Sequence, residues 1–69
     1  MLGQELRAIR EKRGLSLAEI AAASGISREA LGAVERGDRY PTLRTLEALC
    51  ECLNLHILIG PSETIIEER

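Results

Sequence analysis

The sequence predicts an all-α domain, a bundle of four to five short helices finished by a C-terminal β-strand or hairpin. Three observations carry that expectation. Apolar residues recur at helical spacing from Leu2 to Leu53, in segments divided by residues that start and stop helices. After Asn54 the spacing becomes that of a short strand, Leu55-His56-Ile57-Leu58-Ile59, halted by Gly60-Pro61-Ser62. Finally, the 69 residues include one aromatic, Tyr40, so the core must come from Leu, Ile, Val and Ala, which suits closely packed helices. A chain of this length is one domain, because two independent cores need roughly 100 or more residues.

The first helix is expected from Leu2 to Lys12, with Leu2, Leu6 and Ile9 inward and a basic last turn stopped by Gly14. Ser16, followed three residues later by Glu19, signs a capping box opening a second helix, Leu17 to Ala23, with Ile20 and Ala21 inward. Ser24-Gly25-Ile26 interrupts. Ser27 caps a third helix that runs to Arg36 and is closed by Gly37; Leu31 and Val34 face inward. Asp38-Arg39-Tyr40-Pro41 is a polar loop, after which Thr42 caps a fourth helix with the buried stripe Leu43, Leu46, Leu49, Cys50 and Leu53. Thr64-Ile65-Ile66-Glu67 either returns as a second strand or continues as a frayed end. Residues 1–54 thus form the main domain and residues 55–69 a strand or tail.

The net charge of −2 argues superficially against a polyanionic partner, but the sum conceals an asymmetry. Residues 1–44 hold eight Lys or Arg against six Asp or Glu, whereas residues 45–69 hold Arg69 against five glutamates. The single aromatic excludes a base-stacking platform for single-stranded nucleic acid. Cys50 and Cys52 lie about 200° apart around a helix, so they are read as small core or near-core residues in a reducing compartment. With one histidine they fall short of the about four ligands a zinc site needs, and no metal or cofactor is expected. No apolar run approaches the roughly 18 residues of a membrane span, and charges at Glu5, Arg7 and Arg10 break any signal-like start, so a cytoplasmic location is expected. With no nucleophile–base pair or carboxylate dyad in view, an enzyme is not expected.

The second and third helices, joined by Ser24-Gly25-Ile26, have the make-up of a helix-turn-helix: small Ala21 at the crossing, glycine in the turn, and Ile26 as an apolar plug. A generic helical hairpin meets the same three requirements. The wider pattern separates them. It comprises Leu6-Arg7-x-x-Arg10-x-x-x-Gly14-Leu15-Ser16, Ile20-Ala21, Gly25-Ile26-Ser27-Arg28, Val34-Glu35-Arg36-Gly37 and Pro41-Thr42-Leu43-x-Thr45-Leu46. With these stretches residues 2–53 resemble the Cro/C1-type, or Xre-like, helix-turn-helix family of lambda-repressor-like domains. The resemblance implies a bundle that docks on double-stranded DNA with the third helix in the major groove.

The resemblance places Arg28 and Glu29 at base edges, where arginine pairs with guanine and glutamate accepts from cytosine; the alternative is a solvated surface pair. Ser27 both caps the helix and is available to a phosphate. Gly32 and Ala33 stand where the family often carries larger polar readers, which leaves close backbone approach and a thymine-methyl contact. Leu17 stands where the family usually has glutamine, and offers its backbone N–H alone. Arg36, Arg39, Tyr40 and Thr42 form the expected phosphate clamp, or else an ordinary charged loop; Lys12 and Arg13 are weaker candidates. The resemblance also implies that Arg10 and Glu35 form a partly buried structural ion pair between the first and third helices.

One domain of this size covers one half-site, so two copies on a pseudo-palindrome are expected. Leu55, His56, Ile57, Leu58 and Ile59 are the expected dimer interface, pairing edge to edge with the same strand of a second copy; an intrachain hairpin with residues 64–67 is the alternative. His56 is read as a surface or interface residue. The leading expectation is a dimeric repressor of bacterial or phage type, nucleoid-associated when bound, that blocks transcription by occupying its operator. Helices followed by a terminal strand also resemble HipB-type antitoxins, which repress their own operon and bind a toxin. A protein–protein adaptor is the third alternative.

Overall fold

Three of the four helices begin at a hydroxyl that accepts an amide and end at a residue in the left-handed region, which is why their boundaries fall where the sequence punctuates them. The computed structural model describes residues 2–69. The helices are α1 (Leu2–Lys12), α2 (Leu17–Ser24), α3 (Arg28–Arg36) and α4 (Leu43–Leu53), followed by β1 (Leu55–Ile59) and β2 (Thr64–Glu68). At α2 the capping box is complete: Ser16 Oγ accepts from the Glu19 amide at 3.0 Å, and Glu19 Oε1 accepts from the Ser16 amide at 2.9 Å. Gly25 closes α2 at φ +77°, a conformation an L side chain resists, and so permits the sharp turn into α3. No described helix is long and apolar enough to cross a membrane.

The core takes a stripe from every element. Leu6 of α1, Ile20 of α2, Leu31 and Val34 of α3, and Leu46, Leu49, Cys50 and Leu53 of α4 are buried together with Leu55 and Ile66 of the two strands. Burial in this apolar setting pushes the Cys50 thiol pKa up. Leu43 departs from its expected place: its spacing fits the α4 stripe, yet at the first turn of the helix it is 54% exposed.

The C-terminal segment is the larger correction. The expectation of a strand without a partner in its own chain fails, because β1 pairs antiparallel with β2, with Ile57 opposite Ile66 and Leu58 opposite Ile65. A four-residue turn makes the reversal, closed by the Gly60 amide donating to the Glu63 carbonyl at 2.8 Å. The cause is hydrophobic: one face of the hairpin lays Leu55 (1% exposed) and Ile66 (8%) onto the helices, so the sheet completes the core. Leu55 is therefore withdrawn from the interface expected of it, and Ile57 is half-buried against the same core.

Two features fix α1 against α3. The first is Gly3, which is buried; a Cβ there would run into the Val34 carbonyl oxygen and lie 3.0 Å from that of Glu35. The second is Arg10. Its Nε and Nη2 donate to Glu35 Oε2 and Oε1 at 2.8 and 3.0 Å, and its Nη1 donates to the Leu15 carbonyl at 2.8 Å. The side chains are only 12% and 11% exposed. The hydrogen bonds that Arg10 donates to Glu35 raise its pKa against the opposing effect of burial.

Gly3→Ala should destabilise the domain by about 1–3 kcal/mol despite alanine's better helix propensity, because the obstruction is backbone; an unchanged thermal midpoint would show that α1 can shift away. Arg10→Ala and Glu35→Ala should each cost about 3 kcal/mol in urea unfolding. The double variant should cost less than the two singles together; strict additivity would mean the pair is not coupled.

Candidate nucleic-acid interface

Ile26 holds the corner between α2 and α3 by packing against the core, and its amide donates to Ser24 Oγ at 3.2 Å. That turn delivers the start of α3 to solvent. Ser27 Oγ accepts from the Ala30 amide at 3.2 Å, which leaves its hydroxyl proton available to an outside acceptor. Arg28 and Glu29 follow in the first turn, both exposed. Glutamate there complements the positive end of the helix dipole.

Further along α3 the exposure expected of a reading surface diminishes. Gly32 is buried and Ala33 half-buried. A Cβ on Gly32 would lie 3.0 Å from an Arg36 guanidinium nitrogen, so glycine gives the Arg36 side chain room to lie back over the helix. Arg36 Nε in turn donates to Asp38 Oδ2 at 3.0 Å. The Ala33 carbonyl accepts the Asp38 amide at 2.9 Å, which folds the loop after α3 back on the helix end.

Arg39 and Tyr40 stand exposed in that loop, Tyr40 at 73%. Tyr40 borders an apolar recess shared with Leu2, Val34 and Pro41. Thr42 Oγ1 accepts from the Thr45 amide and lies 3.1 Å from Thr45 Oγ1, so its hydroxyl is engaged at its own helix end. Leu17 packs its side chain partly against the core, which leaves its main chain facing outward at the α2 N-terminus.

The arrangement of ion pairs organises the surface. Arg7 pairs with Glu11, Arg10 with Glu35, Lys12 and Arg13 with Glu68, and Arg36 with Asp38. Among the described residues the cations without an acidic partner are Arg28, Arg39, Arg44 and Arg69. Three of the four fall between the start of α3 and the first turn of α4. Sequence reasoning had left out Arg44; its signal was a cation two residues after the Thr42 cap, in a stretch with no acid nearby until Glu47. It also left out Glu68, whose pKa is lowered by hydrogen bonds from Arg13 and Lys12. No local pattern announces that contact, since its partners are 55 and 56 residues away.

On the far side of the hairpin, Leu58 and Ile65 face each other across the strands at 48% and 41% exposure, flanked by His56 opposite Glu67. Ile59, at the strand end, is 64% exposed. Of the five β1 residues expected at an interface, His56, Leu58 and Ile59 thus remain exposed.

Known proteins are similar to this chain in sequence, and one in structure. The family described as Helix-turn-helix matches residues 6–59. The immunity repressor protein of Bacillus phage phi105 is 40% identical over 99% of this chain, which spans 48% of the repressor. The HTH-type transcriptional regulator SutR of Escherichia coli is 39% identical over 78% of the chain, which spans 30% of SutR. An uncharacterized HTH-type transcriptional regulator of Sinorhizobium fredii, y4dJ, is 35% identical over 91% of the chain and is itself 84% covered. A solved chain of the SinR protein/SinI protein complex superposes with a TM-score of 0.72 at 31% identity, over 77% of this chain and 52% of that one. The chain therefore spans about half the length, or less, of several proteins it matches. With a helix-turn-helix built from α2, Gly25 and α3, and a family match over most of its length, the chain belongs to the helix-turn-helix family.

Proposed function

We propose that this chain is the duplex-DNA-binding module of a transcriptional regulator, a repressor that binds a pseudo-palindromic operator as a homodimer with α3 in the major groove. The observation that carries this reading is the placement of unpaired positive charge: Arg28, Arg39 and Arg44 lack acidic partners, while every cation of α1 has one. Arg28 and Glu29 read base edges from the exposed first turn of α3. Ser27, Arg39, Tyr40 and Arg44 hold phosphates, joined by the Leu17 amide and the helix end capped by Thr42. Arg36 contributes when a phosphate displaces Asp38. Gly32 and Ala33 set a shallow surface that lets the duplex approach. The relatives' names, a phage immunity repressor and transcriptional regulators, agree with this chemistry.

The homodimer is assigned to the outer face of the hairpin, where Leu58 and Ile65 form an apolar pair that two copies cover by stacking about a two-fold axis. That same pair favours a second reading, an antitoxin-like regulator whose hairpin is covered by a toxin.

Arg28→Ala should relax base preference and cost about 1–3 kcal/mol at the preferred site. Arg39→Ala should instead weaken all duplexes alike and flatten the salt dependence by about one unit of slope. Indifference to both substitutions, measured by salt-titrated duplex binding, removes α3 from the groove. Leu58→Glu with Ile65→Glu should convert a sedimenting dimer to monomer while leaving the core residues Leu55 and Ile66 in place; a dimer that survives both changes rejects this seam. A wild-type chain that binds duplex as a monomer favours the toxin-partner reading.

A further inference from the structure

β2 ends beside α1, and its last residue closes an ionic contact there. Glu68 Oε1 accepts from Arg13 Nη2 at 2.9 Å, and Oε2 lies 3.4 Å from Lys12 Nζ. Lys12 is 71% exposed, Glu68 45% and Arg13 28%, so the cluster is open to a large polyanion. Lys12 ends α1 and Arg13 follows it, with only Gly14 and Leu15 before the Ser16 cap of α2. A helix N-terminus aims unpaired amides at an anion, and the first helix of a helix-turn-helix crosses the duplex backbone. Carboxylate and phosphate oxygens offer a guanidinium or ammonium the same kind of acceptor, so the two compete for the same cations.

We propose that Lys12 and Arg13 are a phosphate-contacting pair masked by Glu68, so that the C-terminal strand limits how many phosphates the domain grips. The inference rests on duplex binding as proposed above. A phosphate entering this corner releases the Glu68 carboxylate to water and takes over its two partners. Every phosphate neutralised releases counterions from the duplex, which adds roughly 0.9 to the slope of log affinity against log salt. The masked state therefore binds more weakly at low salt and responds less to salt than the unmasked one.

The test is fluorescence anisotropy of the full chain with a labelled mixed-sequence duplex over a salt series. Glu68→Gln should tighten binding about three- to tenfold at low salt and steepen the slope by about one to two units. Glu67→Gln removes the same charge from the opposite face of β2 and should give a clearly smaller change. Adding Lys12→Gln and Arg13→Gln to Glu68→Gln should abolish the gain, whereas the same pair of changes in the wild-type background should weaken binding less. Equal affinities and slopes for Glu68→Gln and wild type overturn the proposal while leaving duplex binding intact. Equal gains from Glu67→Gln and Glu68→Gln also overturn it, since net charge would then suffice. Failure of every variant, wild type included, to bind duplex overturns the proposed function and the mask with it. Unfolding midpoints recorded on the same samples identify any variant whose change is a loss of fold.

Discussion

The Arg10 guanidinium is the constraint on which the rest of the molecule depends. It makes two hydrogen bonds to Glu35 and one to the Leu15 carbonyl, so one side chain ties the end of α1, the corner before α2 and the last turn of α3. A planar fork of donors meets these demands at once, which a lysine ammonium does not. Because the pair is nearly buried, its value lies in direction more than in net stabilisation. With α1 held against α3, Leu31 and Val34 of α3 face the core while Arg28 and Glu29 lie exposed at its start. The absent side chain at Gly3 is the steric half of the same joint: it lets the two backbones approach closely enough for the ion pair to close.

The charges follow from this geometry. A basic domain with an acidic tail would suggest two separate surfaces, yet the tail's Glu68 reaches back to α1 and neutralises cations there. Glu35 is likewise used internally. Subtracting these partnered charges leaves the unpaired cations concentrated from α3 to α4, a pattern the overall charge of −2 conceals. Surface pairs such as Arg36 with Asp38 are worth little in water and exchange readily, so the partition marks which charges are available first and not which are permanently occupied. Glu19 belongs to the opposite category. Its pKa is lowered by the Ser16 amide and hydroxyl, so the capping box is intact above the ordinary carboxylate range and weakens as pH falls through the lowered value.

Helices were legible in the sequence because their signals are local. Ser16 with Glu19, Ser27, Thr42, Gly25 and Gly37 each act within one turn, and the spacing of Leu6, Ile20, Leu31, Leu46 and Leu53 names the buried face directly. The Arg10–Glu35 contact, 25 residues apart, came from family resemblance and not from any local rule. What escaped needed three-dimensional information. Leu43 has core spacing but lies exposed at the first turn of α4. Arg44 becomes informative only once every other cation's partner is known. Thr64-Ile65-Ile66-Glu67 reads equally as strand or frayed end until Ile66 is seen to enter the core beside Leu55.

That last point changes what the C-terminal segment is. A strand that stood free could be exchanged between copies or removed without touching the helices. Here the inner face of the hairpin is core, with Leu55 and Ile66 as buried as the helix residues beneath them, and the Arg69 amide returns to the Asn54 carbonyl at 3.1 Å. Residues 55–69 therefore fold with residues 2–54 around one hydrophobic centre. The outer face, with Leu58 and Ile65, stays exposed. By the period of a strand, Leu55, Ile57 and Ile66 share the face that packs on the helices, and His56, Leu58, Ile65 and Glu67 share the face turned outward. A register slip of one residue would exchange the two sets, so burial of Leu55 and Ile66 also specifies which side chains any partner meets.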